Sequence, residues 1–128
     1  MKKLFVPNYD AMTTDCIFTT ERVLRCLGLN GKLTGFSYMV FMVDQLVEDR
    51  ATVRLITKAL YPETAKYFGV TSGSVERAIR TLIHAFWNNE SHEFLCYIAG
   101  KQLDTCPTNS EFLDIVTGYL RAMRKQIE

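Results

Sequence analysis

Leu60-Tyr61-Pro62-Glu63-Thr64-Ala65-Lys66-Tyr67-Phe68-Gly69-Val70-Thr71-Ser72-Gly73-Ser74-Val75-Glu76-Arg77-Ala78-Ile79-Arg80 is the stretch from which the rest of the 128-residue chain is best read. Its pattern is a helix-turn-helix: two short helices crossing through a tight turn that often carries Gly. Pro62 suits the first turn of the leading helix, where a missing N–H costs nothing. Ala65 lets the second helix approach closely, and Gly69 supplies the φ > 0 that the chain needs to leave the first. Thr64, Phe68, Val70, Val75 and Ala78 then fill the small core between the two helices, and the second helix opens at Thr71 or Ser72. An Ala-xxx-Gly pair alone also fits an ordinary helical corner. The proline start, the apolar set and the second helix together favour the DNA-binding form of the motif.

The charge distribution supports that choice. Net charge is only +1, yet residues 50–84 carry Arg50, Arg54, Lys58, Lys66, Arg77 and Arg80 against Glu63 and Glu76. Residues 85–118 reverse the balance, with Lys101 against Glu90, Glu93, Asp104, Glu111 and Asp114. Positive charge is therefore concentrated on residues 50–84, the segment that contains the turn motif, as phosphate neutralisation requires. A charge run is usually no more than a solvated helix face; its coincidence with the motif is what gives this one weight.

Length and composition are those of one globular domain with a real core. No apolar run is long enough to span a bilayer and the N-terminus lacks a signal-peptide core, so a cytoplasmic protein is expected. Cys16, Cys26, Cys96 and Cys106 include no C-x-x-C pair, and two histidines do not complete a zinc set. The thiols are expected to be buried or idle, with no metal and no cofactor. There is no paired-carboxylate, nucleophile–base or phosphate-loop arrangement, so no enzymatic activity is expected. His84 in particular has no nucleophile or acid placed beside it in the local sequence.

The flanking chain reads as helix throughout. Residues 1–18 are an N-terminal arm and residues 19–128 the folded domain. Thr19 or Thr20 caps a helix to Leu27 that stops at Gly28. After the Asn30-Gly31 turn, Gly35 precedes a helix from Phe36 to Val47, and a shorter one covers Ala51 to Leu60. The second helix of the motif continues its buried stripe through Ile79, Leu82, Ile83, Phe86 and Trp87 to Asn88-Asn89, leaving Arg77, Arg80, Thr81 and His84 outside. Ser91 to Ala99 is a short helix closed by Gly100. Thr108-Asn109-Ser110-Glu111 has capping-box spacing and starts the last helix, whose inward stripe is Phe112, Ile115, Val116, Tyr119, Leu120 and Met123. The expected fold is all-α, about six helices with a central helix-turn-helix.

Four runs in order carry a resemblance over about residues 20–125: Gly35-Phe36-Ser37-Tyr38-Met39; Ile56 to Pro62; Val75 to Arg80 with Trp87; and Pro107-Thr108-Asn109-Ser110-Glu111-Phe112. Together they resemble the C-terminal effector domain of the master response regulator of sporulation initiation. The resemblance implies a six-helix DNA-binding transcription regulator. Two departures stand out. The 128 residues have no space for that family's phosphoacceptor receiver, so phosphorylation-triggered dimerisation is not expected. The family's recognition helix carries an Arg-Val-Glu-Arg run, and here the run is Ser74-Val75-Glu76-Arg77.

By that resemblance the partner is double-stranded DNA. Glu76 and Arg77 would read bases: a carboxylate accepts from cytosine N4, and a guanidinium fork takes guanine O6 and N7 together. Ser72 and Ser74 would make weaker groove or phosphate contacts, and Lys66 and Arg80 would contact phosphate. Also implied are a homodimer on DNA and contact with the sigma subunit of RNA polymerase through about Glu90 to Ala99. Glu90, His92 and Glu93 in that stretch make simple occlusion of a site as good an expectation as activation. The rival reading is a stand-alone interaction module that has lost specific DNA binding and docks on a full-length regulator or another partner.

Overall fold

A computed structural model of the chain describes residues 19–49 and 56–127. Residues 1–18, expected to be an arm and including Cys16, lie outside them, as do Arg50 and Arg54. The described residues form six α-helices and no strand: α1 (Thr20–Leu27), α2 (Thr34–Asp49), α3 (Tyr61–Phe68), α4 (Ser72–Asn89), α5 (Glu93–Ala99) and α6 (Asn109–Ile127). The all-α expectation with a central helix-turn-helix holds.

Most helix ends follow from local chemistry. The Thr19 hydroxyl accepts from the Arg22 N–H at 3.2 Å, and Gly28 ends α1 in the left-handed region at φ 108°. At α6 the capping box closes in both directions. The Glu111 N–H donates to the Thr108 hydroxyl at 3.1 Å, and the Thr108 N–H donates to a Glu111 carboxylate oxygen at 2.8 Å.

Three boundaries differ from the sequence reading. α2 begins at Thr34 rather than Phe36, which brings Gly35 inside its first turn. α5 begins at Glu93 rather than Ser91; the Ser91 hydroxyl instead accepts from the Glu93 N–H at 3.2 Å, ahead of the helix. The separate helix expected over Ala51 to Leu60 falls partly outside the described residues. Its remainder, Ile56–Leu60, is a π-helical turn running without a break into α3, with Leu60 itself in the right-handed helical region. Pro62 accounts for this: it has no N–H to give and its ring crowds the carbonyl four residues back, so a widened turn precedes it.

The core lies where α2, α4 and α6 meet. Met39, Met42, Val43 and Leu46 from α2, Val75, Ile79, Leu82, Ile83 and Phe86 from α4, and Phe112, Leu113, Val116 and Leu120 from α6 are all buried. Phe86 and Phe112 meet edge to face, ring centroids 5.8 Å apart. α4 is thereby gripped along its whole apolar stripe, and its opposite stripe must face outward. Ile115, Met123 and Trp87 are only partly buried, packed against the edge of the core. Trp87 stacks at 3.5 Å on His92, whose Nε2 donates to the Trp87 carbonyl at 2.8 Å.

Candidate nucleic-acid interface

The bend between α3 and α4 is built by Gly69 and Thr71. Gly69 lies at φ 71°, the Val70 N–H reaches back to the Ala65 carbonyl at 2.9 Å, and the Gly69 N–H points to the Lys66 carbonyl. These two bonds are the 6→1 and 5→2 pair of a Schellman motif. They swing Val70 outward. Val70, expected in the inter-helix core, is instead exposed, while Thr64, Ala65 and Val75 are buried and Phe68 and Ala78 pack beside them. Two residues on, the Thr71 hydroxyl accepts from the Ser74 N–H at 3.1 Å and donates to the Ser74 hydroxyl at 2.9 Å, which starts α4 at Ser72.

The buried stripe of α4 determines what faces solvent. Arg77, Arg80, Thr81 and His84 are exposed, and Ser72, Ser74 and Glu76 are half-exposed along the same side. Lys66 is exposed on α3. Arg77 folds back over the first turn of α4, its Nη1 3.4 Å from where a Cβ on Gly73 would stand. That direction is the normal lean of helical side chains toward the N-terminus. Glu76 does not pair with Arg77. It forms an i,i+4 ion pair with Arg80, and both side chains remain well exposed, 38% and 46%. An exposed pair of this kind contributes about 0.3–0.5 kcal/mol, so a competing phosphate or base edge can replace it at little cost.

Beside this face runs a cleft of about 670 Å³ whose walls include Tyr61, Glu76, Arg80, His84, Cys106 and Asn109. The Asn109 side-chain amide donates to the Tyr61 hydroxyl at 2.9 Å and to the Glu76 carbonyl at 3.2 Å. Burial pushes the Tyr61 phenol above its ordinary pKa; the Asn109 hydrogen bond and Arg80 act against that, and Glu76 with it. Burial likewise raises Cys106, so its thiol stays protonated near neutral pH. Cys26, Cys96 and Cys106 are free thiols, none fully buried, and no metal-binding cluster occurs among the described residues. A helix with cations, hydroxyls and one carboxylate along its solvent face suits recognition of a polyanion with readable edges.

Residues 20–120 match the family model described as sporulation initiation factor Spo0A C terminal. The chain belongs to this family. The match takes in α1 to α5 and α6 as far as Leu120, so the helix-turn-helix lies well inside it. The Spo0A C-terminal family is one of DNA-binding domains that regulate transcription in sporulation, a regulatory rather than an enzymatic class. No helix among the described residues is long and apolar enough to cross a membrane.

All six residues singled out in the sequence, Lys66, Ser72, Ser74, Glu76, Arg77 and Arg80, have accessible surface; five lie on α4 and Lys66 stands apart on α3. Sequence reasoning misses Tyr61 and Asn109 as a pair. Tyr61 reads only as a helix start and Asn109 only as part of a capping box, and a separation of 48 positions conceals the contact.

Proposed function

We propose that this chain is a sequence-selective DNA-binding transcription regulator that inserts the first two turns of α4 into a major groove. Arg77 takes a guanine through O6 and N7, Glu76 accepts from a cytosine N4, and Arg80, Lys66 and the Ser72 and Ser74 hydroxyls hold flanking phosphates or groove edges. The observation that carries this reading is the position of half-exposed Glu76 and exposed Arg77, in the second turn after the Gly69 bend on a helix gripped from behind. Ser74 stands where the family pattern has arginine, and its hydroxyl is engaged by Thr71. One bidentate arginine contributes about 1–3 kcal/mol of discrimination, against about 4–10 kcal/mol for a whole specific site. The site preferred here is therefore shifted or relaxed relative to the family's, and binding persists. Pairing of two copies on DNA, and contact of α5 with the sigma subunit of RNA polymerase, belong to the same proposal.

The test is selection from randomised duplexes, with Arg77→Ala as control. Enrichment of a defined motif by the natural chain, with one guanine position lost in the control, is the expected result. No enrichment above non-specific binding would favour the interaction-module reading.

A further inference from the structure

We propose that Asn109 is a positioning residue for base reading: from the first residue of α6, its amide sets the pose of the recognition helix at Glu76. This rests on the reading of α4 as the groove-entering helix.

One NH2 group joins three elements. Its two hydrogens go to Tyr61 Oη at 2.9 Å, at the start of α3, and to the Glu76 carbonyl at 3.2 Å, in the second turn of α4. A carbonyl can only accept, so the nitrogen side of the amide must face Glu76, and the orientation of the side chain follows from its partners. The Glu76 carbonyl has two lone pairs, so it takes the Asn109 N–H without giving up its place in the helix ladder. The contact falls on the backbone of the residue whose carboxylate is assigned to a base, one position before Arg77. α3 and α4 are joined by a short bend, and a small rotation about that bend moves the tips of residues 76 and 77 by an appreciable part of the spacing between base pairs. Asn109 resists that rotation from outside the motif. The capping box of Thr108 and Glu111 holds Asn109 in turn, fixing the backbone on either side of it.

Asn109→Asp keeps the size of the side chain and removes both donors, and Tyr61→Phe removes one acceptor alone. The measurement is the ratio of affinities for the selected duplex and a scrambled duplex of equal length, with the log–log salt slope and the thermal midpoint recorded for each protein. Positioning predicts a roughly tenfold fall in that ratio for Asn109→Asp, the scale of one badly met base pair. For Tyr61→Phe, which changes no charge, it also predicts an unchanged affinity for the scrambled duplex and an unchanged salt slope, because the phosphate contacts remain. In a background lacking both base-reading side chains, Glu76→Ala with Arg77→Ala, most of the Asn109→Asp effect should vanish, since it acts through those two contacts. A purely structural role would lower the midpoint and weaken both duplexes together, or leave the ratio intact; either result overturns the proposal. If Asn109→Asp does not fold, Tyr61→Phe decides alone, an unchanged ratio counting against positioning. Failure of the natural chain to discriminate at all would instead overturn the DNA-reading proposal on which this one rests.

Discussion

Gly35 stands so close to Ala78 that a Cβ on it would come within 2.4 Å of the Ala78 carbonyl oxygen. The contact brings the first turn of α2 against the backbone of α4 at the level of the exposed Arg77 and Arg80, so the back of α4 is braced by a residue with no side chain. Alanine is normally the better helix former, by about 1 kcal/mol. Here the neighbour is backbone and cannot turn aside, so Gly35→Ala should destabilise the fold by about 1–3 kcal/mol. Gly118 provides the control. It lies inside α6 with open space around the position a Cβ would take, so Gly118→Ala should stabilise by up to about 1 kcal/mol. Urea midpoints of the two variants should move in opposite directions.

Ser74→Arg restores the run found in the family. It should add a guanine preference at one position of the selected site, about 1–3 kcal/mol of discrimination. The Thr71 hydroxyl keeps its acceptance from the residue 74 N–H and loses only the hydroxyl partner, so the helix start survives. Comparison of selected motifs from the two proteins checks this.

How much of the site is legible from sequence depends on separation along the chain. The Gly69 turn, the Thr71 start and the buried stripe of α4 follow from spacings within one helix, and the Thr108–Glu111 box from a spacing of three. Val70 escapes a sequence reading because a Schellman bend and a residue passing inward present the same string of letters. The π turn before Pro62 reads as a helix end because proline marks either a start or a distortion. The Gly35–Ala78 approach and the Asn109 bridge join residues more than thirty positions apart, and no local period reports them.

Tyr61 makes stability depend on alkaline pH. Its phenol is held above the ordinary value of about 10, chiefly by burial. Below that value it is neutral in both folded and unfolded chains and its stabilising effect is complete. As pH rises from there through the folded value the unfolded chain ionises first, and stability falls. Tyr61→Phe should be less stable at pH 7 through loss of the Asn109 bond, yet show a shallower loss above about pH 10. Chemical denaturation from about pH 7 to about pH 11 on both proteins measures the two slopes.

Lys66 is exposed on α3, whereas the residues proposed to read bases lie on α4. The two cationic phosphate contacts proposed, Lys66 and Arg80, give a log–log salt slope near −2 per bound copy, and Lys66→Ala should bring it to about −1 while weakening selected and scrambled duplexes alike. Titrations at several salt concentrations separate this from Arg77→Ala, which should act on the selected duplex above all.

Methylation interference at guanine N7 on the selected duplex tests most directly whether Arg77 enters the major groove. A methyl group at N7 occupies the edge that the guanidinium needs, so one guanine should block binding of the natural chain when methylated and become indifferent with Arg77→Ala. Tight, selective binding that no N7 methylation disturbs would contradict the account.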